Sequence, residues 1–173
     1  DLLLYEQGGY NQADIDDVEA VSHYVSAMQL GMERMQDGYP ISLRLIRELH
    51  AELLRRGRGS TKMPGEFRQS QNWIGGTRPG NAAYVPPPPQ DLMDCMGALE
   101  LFINRDDELS PLVKAALVHV QFESIHPFLD GNGRVGRLLI QMMLCNSGLL
   151  RKPLLYLSLY FKQHRQEYCR TLR

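Results

Sequence analysis

Four residues whose side chains can do chemistry lie close together in the stretch HPFLDGNGRVGR, which begins at His126. His126 can accept a proton near neutral pH, and Asp130 can hold a divalent cation. Arg134 and Arg137 carry planar guanidinium groups that match the oxygens of phosphate. A base, a carboxylate and two cations in one short segment predict a site for a phosphorylated ligand.

The backbone of the same stretch favours this ligand. The run RVGRLLIQMMLCNSG predicts a helix that starts in or just after Gly133. The first amides of a helix lack hydrogen-bond partners, and the helix dipole adds partial positive charge there. The sequence GNG lets the backbone curl close to an anion, and Arg134 and Arg137 share one face of the new helix. The segment therefore predicts an anion-binding site suited to phosphate.

Asp130 fits this cationic setting if a divalent cation bridges the protein and the phosphates. Mg²⁺ is the usual choice, so Mg²⁺ with a nucleoside triphosphate is the expected ligand. His126, just outside the loop, is placed to take a proton from an incoming hydroxyl. A plain glycine-rich turn would need no function, but the coincidence of these features disfavours that interpretation. The sequence has no Walker-type or protein-kinase motif, so ordinary NTPase and kinase functions are unsupported.

About six helices are predicted around this loop, and the fold class is mainly α. Ser42 is expected to cap one helix that stops at Gly57, and a final helix is expected after Ser158. The helix PLVKAALVHVQFESI, directly before His126, is apolar on nearly every side. Such a helix is expected in the middle of a bundle, where it would present His126 from a rigid, buried support.

One small hairpin is predicted between the helices. The segment NWIGGTRPGNAAYV has two short runs around a turn rich in glycine and proline, which predicts a β-hairpin or a projecting loop. The prolines from Pro86 to Pro89 exclude helix and central strand directly after it.

Length and charge limit the classes of function. With 173 residues, 43% of them hydrophobic, the chain is expected to form a single domain over residues 1–173. Its net charge of -1 gives no overall field for nucleic acid or an anionic membrane. No apolar run approaches the roughly 18 residues that span a bilayer, so a cytoplasmic protein is expected. The chain lacks an initiator methionine and stops within a helical pattern, which predicts a fragment truncated at both ends.

The loop also resembles a known family. Its residues fit every fixed position of the Fic-domain signature H-P-F-x-[DE]-G-N-G-R-x-x-R. The segments PGEFRQSQNWIGG and PLLYLSLYF are similar to those of bacterial Fic proteins, so the resemblance covers nearly the whole chain. It implies a Fic-like helical bundle with one hairpin flap.

The resemblance implies protein adenylylation, the transfer of AMP from ATP to a Ser, Thr or Tyr hydroxyl of a target protein with release of pyrophosphate. Self-modification is a further possible outcome. By this resemblance, His126 is the general base and Asp130 is the Mg²⁺ ligand. The residues implied to cradle the α- and β-phosphates are Gly131, Asn132 and Gly133, and those implied on the β- and γ-phosphates are Arg134 and Arg137.

Two further roles follow from the resemblance. The hairpin residues Ile74, Gly75, Gly76 and Thr77 are implied to form the flap, which clamps a target segment by strand addition. Tyr168 is implied to contribute to the adenine pocket, although a half-buried aromatic on a helix suits the core equally well.

Several alternatives stay open. The same scaffold is compatible with transfer of another phosphate-containing group, with removal of AMP, or with a nucleotide-sensing module that has no turnover. His119 and Glu123, four residues apart, could share a metal, but without a third ligand a satisfied core histidine is favoured. The inhibitory pattern [ST]-x-x-x-E-[GN] of many Fic proteins does not occur in residues 1–173, so regulation is left open.

Overall fold

The computed structural model describes residues 12–57 and 59–172. In these residues the chain is mainly helical, as the sequence predicts, and it divides into two compact units, one ending at Glu66 and the other beginning at Phe67. The α-helices are α1 (Gln12–Gln36), α2 (Leu43–Leu53), α3 (Leu92–Asn104), α4 (Pro111–Ile125), α5 (Asn132–Asn146), α6 (Leu157–Gln163) and α7 (Arg165–Thr171). Two short 3₁₀ turns, Pro79–Asn81 and Pro89–Asp91, precede α3.

The first unit pairs α1 with α2. Ser42 caps α2 as predicted, since its hydroxyl oxygen accepts a hydrogen bond from the Leu45 amide at 3.2 Å. Apolar side chains on one face of α2, among them Ile46, are fully buried. The helix ends at Leu53, before the stop predicted at Gly57, because the next residue already leaves the helical backbone region.

The second unit is built on α3, α4 and α5, and α4 packs against both of the others. The apolar side chains that α4 buries are Ala115, Val118, Phe122 and Ile125. The expectation that α4 lies in the middle of a bundle is met only in part, because α4 packs against α3 and α5 but also exposes apolar side chains. The apolar side chains that it exposes are Leu112, Val113, Leu117 and Val120. The neighbouring helices α3 and α5 therefore cover only part of its circumference.

The predicted hairpin is represented by one antiparallel bridge, between Ile74 and Tyr84. The Ile74 amide donates to the Tyr84 carbonyl at 2.9 Å, and the Tyr84 amide donates back at 3.2 Å. In the part of the chain that the structure describes, no strand extends beyond this single bridge, so the hairpin flap itself stays a prediction. Gly75 and Gly76 both have a φ of 71°, and Pro79 opens a 3₁₀ turn, so the chain turns away before a ladder can extend.

The last predicted helix is divided into two. The chain leaves the helical conformation at His164, between α6 and α7, although the His164 amide still donates to the Tyr160 carbonyl at 3.0 Å. Both helices are short, and neither contains a fully buried residue. None of the described helices combines the length and the apolar character that crossing a membrane requires.

Candidate active site

His126 follows the last residue of α4 and caps that helix in a left-handed backbone conformation, with a φ of 49°. This conformation is uncommon for a residue other than glycine, and such strain is often found at functional sites. The His126 amide donates to the Phe122 carbonyl at 3.0 Å, and ring atom Nδ1 lies 3.3 Å from the Glu123 carbonyl oxygen. This second contact leaves Nε2 as the ring atom available to other partners.

Arg68 fixes the backbone around His126 by hydrogen bonds, a role that the sequence interpretation missed. Its side chain is buried, and Nε donates to the His126 carbonyl at 3.0 Å. Nη2 donates to the carbonyls of Pro87 and Ile125 at 2.5 and 3.3 Å. The Arg68 amide donates to the Pro127 carbonyl at 2.9 Å. A cation therefore binds the carbonyls of Ile125 and His126 at the C-terminal end of α4, where the helix dipole is negative.

Asn72 is a second positioning residue that the sequence interpretation missed. Its Nδ2 donates to the carbonyls of His126 and Phe128 at 3.2 and 3.3 Å. The Phe128 ring is fully buried, and its centroid lies 5.2 Å from that of Phe67. The sequence signal for Arg68 and Asn72 is the family resemblance of PGEFRQSQNWIGG, because side-chain bonds to a distant backbone leave no periodic pattern.

The Asn132 side chain turns inward and ties the loop to itself. Its Oδ1 accepts a hydrogen bond from the Phe128 amide at 2.9 Å, and its Nδ2 donates to the Phe128 carbonyl at 2.8 Å. The residue is 2% exposed. A buried amide with both groups satisfied fixes the geometry around it. Asn132 can therefore offer an anion its backbone amide rather than its side chain.

Two backbone amides at the start of α5 have no hydrogen-bond partner in the described part of the chain. Gly131 is the N-cap, with a φ of 81°, and its carbonyl accepts the amides of Arg134 and Val135 at 3.1 and 3.0 Å. Within the described ranges, no group accepts a hydrogen bond from the amides of Asn132 or Gly133. These two donors lie at the positive end of the helix dipole and are available to an anion.

The Asp130 carboxylate stands beside these amides. Its Oδ1 accepts the Gly131 amide at 2.6 Å and lies 3.6 Å from Nη2 of Arg134. The Asp130 side chain is 33% exposed, which leaves it accessible to a cation. The described residues contain no cluster of three His, Cys, Asp or Glu side chains that could hold a metal. A metal at Asp130 would therefore need ligands from a substrate or from water.

Burial lowers the pKa of His126 below its ordinary value of 6.5, because desolvation penalises the imidazolium form. The Glu123 carbonyl contact and the Asp130 carboxylate raise this pKa, and the Arg68 guanidinium lowers it further. The ring is therefore neutral at pH 7. With a proton on Nδ1 facing the Glu123 carbonyl, Nε2 is the basic nitrogen.

A polar group of residues is buried behind the loop. His119 is buried, as expected of a core histidine, with 4% exposed; its Nε2 lies 2.8 Å from the Tyr168 hydroxyl, but its Nδ1 has no partner among the described residues. The Tyr168 ring stacks on Phe161 with centroids 4.3 Å apart. Burial lowers the pKa of His119 to about 4 and raises that of the Tyr168 phenol, so both groups are neutral at pH 7.

Glu123 belongs to the same buried group. It is 8% exposed, and its Oε1 has no hydrogen-bond partner among the described residues. A Cβ atom on Gly136 would lie 2.5 Å from this oxygen and 2.9 Å from Nδ1 of His119, so glycine at this position makes room for both side chains. Burial raises the pKa of Glu123 to about 7, and the charge of Arg137 opposes this shift.

The structure brings most of the predicted site residues together. His126, Asp130 and the residues from Gly131 to Arg137 occupy one loop and the first turns of α5. The segment from Ile74 to Thr77 begins two residues after Asn72, which contacts the His126 carbonyl. The contact of Tyr168 with adenine stays a prediction.

This fold and this loop define the class of protein. The Fic/DOC family model matches residues 40–144, and the chain belongs to this family. Among curated relatives, the protein adenylyltransferase Fic of Drosophila grimshawi is 40% identical over 110 residues, which make up 62% of this chain and 21% of that relative. The chain thus spans about a fifth of the length of the curated relatives that it matches.

Solved structures have the same fold. A Fic-domain-containing signalling protein of Bacteroides thetaiotaomicron matches with a TM-score of 0.72 and 27% identity, over 85% of this chain and 55% of that one. A Fic family protein of Desulfovibrio desulfuricans matches with a TM-score of 0.76 and 24% identity, over 99% of this chain and 49% of that one. The second likeness bears on the fold alone.

Proposed function

We propose that this chain is the catalytic domain of a protein adenylyltransferase, which transfers AMP from ATP to a Ser, Thr or Tyr hydroxyl of a target protein and releases pyrophosphate. One observation carries the proposal: a single loop presents both the neutral imidazole of His126 and the free backbone amides of Asn132 and Gly133. The names of the curated relatives from Drosophila grimshawi and Drosophila virilis support the same reaction.

The start of α5 would hold the triphosphate. The positive φ of Gly131 and the two free amides that follow it support contacts with the α- and β-phosphates. Arg134 and Arg137 on the same helix would neutralise the β- and γ-phosphates. Charge grows on the phosphate oxygens in the transition state, and donors that are already oriented stabilise it most effectively.

The residues fit a Mg²⁺ ion that is held jointly by protein and phosphates. Asp130 offers a partly exposed carboxylate next to the free amides. Mg²⁺ is commonly bound by one or two carboxylates, with phosphate oxygens and waters completing its shell. When bound, the ion would neutralise part of the phosphate charge.

His126 would act as the general base. Its Nε2 would take the proton of the target hydroxyl while the hydroxyl oxygen forms a bond to the α-phosphorus. The bond from that phosphorus to the bridging oxygen breaks, and pyrophosphate leaves with the electron pair. The lowered pKa of His126 supports this role, because it keeps Nε2 free of a proton at pH 7.

The segment from Ile74 to Thr77 would bind the target protein. The amide and carbonyl of Ile74 are both used in the bridge to Tyr84. A strand that adds to the other edge of this segment would therefore pair with the backbones of Trp73 and Gly75. In the described part of the chain, the backbones of these two residues make no hydrogen bond. An extended target segment could add to them as a strand. This arrangement would bring an acceptor hydroxyl towards His126.

Labelled ATP tests the proposal. The purified chain, given Mg²⁺ and ATP labelled at the α-phosphate, should label a protein in a cell lysate, itself, or both, and mass spectrometry should find AMP on a hydroxyl. We expect His126→Ala to reduce labelling by a factor of about 100 or more while ATP binding is kept. We place the reaction in the cytoplasm, so a cytosolic extract is the first source of targets.

Two outcomes would contradict the proposal. Label transferred from the γ-phosphate would show that a different group moves. ATP binding without any labelled product across the lysate would favour a nucleotide-sensing module.

A further inference from the structure

Five residues lie behind the loop from His126 to Arg137, and of these only Arg137 has a part in the reaction described above. We call this set the rear cluster, and its members are His119, Glu123, Gly136, Arg137 and Tyr168. Its carboxylate is the feature that needs an explanation, because a carboxylate buried without a partner destabilises a fold. Glu123 is 8% exposed, and its Oε1 is unpaired within the described residues.

Glu123 and Arg137 approach the same point from two different helices. A Cβ atom built on Gly133 would lie 3.2 Å from Nη1 of Arg137 and 3.8 Å from Oε1 of Glu123. Both charged groups therefore flank the small space that Gly133 leaves open. Nε of Arg137 is also buried and has no partner among the described residues.

The other titratable members of the rear cluster are neutral at pH 7. Burial lowers the pKa of His119 to about 4, so its ring carries no charge. Burial raises the pKa of the Tyr168 phenol, which stays protonated. Of the groups that the cluster places around Glu123, Arg137 alone can supply an opposite charge.

We propose that Glu123 is a positioning residue for Arg137: without a direct ion pair, its carboxylate attracts the guanidinium from behind and holds it towards the terminal phosphate of a bound nucleoside triphosphate. This inference rests on the proposed function, in which Arg137 contacts the β- and γ-phosphates. This attraction would restrict a long side chain before the ligand arrives, so that less conformational entropy is lost on binding.

A competing effect has the opposite sign. The Glu123 carboxylate also repels a bound triphosphate. This repulsion is screened at the open loop, whereas the attraction acts in the low-dielectric interior. We therefore expect the attraction to outweigh the repulsion.

Glu123→Gln removes the charge and keeps the shape of the side chain. We expect this variant to bind Mg-ATP about tenfold more weakly, as loss of one attraction between charges implies, and to bind AMP unchanged, with both dissociation constants measured by calorimetry. In an Arg137→Gln background, Glu123→Gln should have no further effect on ATP affinity. Glu108→Gln, the same change at an exposed position, is the matched control.

The pH dependence separates positioning from a merely structural role. The pKa of Glu123 is raised to about 7, so the carboxylate ionises and Mg-ATP binding tightens as the pH rises through about 7. Glu123→Gln should lack this component, whereas titration of ATP itself is common to both proteins. Because folding raises the pKa of Glu123 from 4.5 to about 7, stability is lost as the pH rises from about 4.5 to about 7, and the loss is complete at pH 8. The variant should therefore have a higher Tm than the parent at pH 8, although it binds ATP more weakly.

Any of three results for Glu123→Gln would overturn the inference: Mg-ATP affinity equal to that of the parent, an effect that persists in the Arg137→Gln background, or a lower Tm at every pH. A parent that binds no Mg-ATP would refute the proposed function instead. The attraction is then judged by NMR: the pKa of Glu123 rises in Arg137→Gln if the two groups attract each other, and an unchanged pKa excludes the attraction.

Discussion

The side-chain amide of Asn132 and the backbone of Phe128 form a closed pair of hydrogen bonds, 2.9 and 2.8 Å long, across the loop of the candidate active site. The Phe128 ring is fully buried, so this pair joins the loop to the core of its unit. Asn72 adds a third bond, to the Phe128 carbonyl at 3.3 Å. The loop between His126 and α5 is thus held by side chains that bond to its backbone.

Asn132→Ala removes the bond to the buried Phe128 amide and one of the two bonds described for the Phe128 carbonyl, which keeps that from Asn72. We expect a loss of about 2 to 4 kcal/mol in the free energy of unfolding, measured by denaturant titration. Asn146→Ala, at the exposed last residue of α5, should change this free energy by less than about 0.5 kcal/mol. Equal effects of the two substitutions would show that the closed pair does not stabilise the loop.

Gly136→Ala should destabilise the second unit. The added methyl would lie 2.5 Å from Oε1 of Glu123 and 2.9 Å from Nδ1 of His119, and both side chains are buried with little room to move. We expect a cost of about 1 to 3 kcal/mol. Gly97→Ala, in the middle of α3 with no atom near its added methyl, should instead stabilise by up to about 1 kcal/mol. Thermal unfolding measures the stability of both variants, and equal stability changes would refute the claim that the added methyl crowds Glu123 and His119.

The lowered pKa of His126 predicts the acid limb of catalysis. A base must be unprotonated, and the midpoint for protonation of this ring lies below its ordinary pKa of 6.5. We expect kcat at saturating Mg-ATP to decline as the pH falls, with the midpoint of the decline below pH 6.5. Measuring kcat in the Glu123→Gln background removes the second group that titrates nearby. A midpoint above pH 6.5 would exclude a base with a lowered pKa.

Asp130→Asn should raise the Mg²⁺ requirement. Asparagine keeps the oxygen that accepts the Gly131 amide but loses the charge that attracts a cation. We expect the Mg²⁺ concentration at half-maximal AMP transfer to rise about tenfold or more, and EDTA to stop the reaction of the parent. An unchanged Mg²⁺ midpoint would place the metal elsewhere.

The sequence predicts the helices of this fold well, because apolar spacing, an N-cap such as Ser42 and stop residues are local signals. The sequence does not predict features of the fold that depend on tertiary contacts. The exposed Leu112 and Leu117 show that an all-apolar helix does not reveal how much of its surface other helices cover. The division of the last helix at His164 leaves no glycine or proline signal in the sequence.

The candidate site is predictable to the extent that it is contiguous. The loop from His126 to Arg137 is one segment, so its chemistry follows from residue types and spacing. Arg68 and Asn72 act through bonds to a backbone more than fifty residues away in sequence, and no local pattern marks such bonds. The inward turn of Asn132 is likewise decided by a partner, the Phe128 backbone, that tertiary packing supplies.

A crystal structure of the chain with Mg²⁺ and a non-hydrolysable ATP analogue tests the central claim most directly. We predict phosphate oxygens within hydrogen-bond distance of the Asn132 and Gly133 amides, with the α-phosphorus facing Nε2 of His126. Those amides facing solvent, with the nucleotide bound at another surface, would contradict the account.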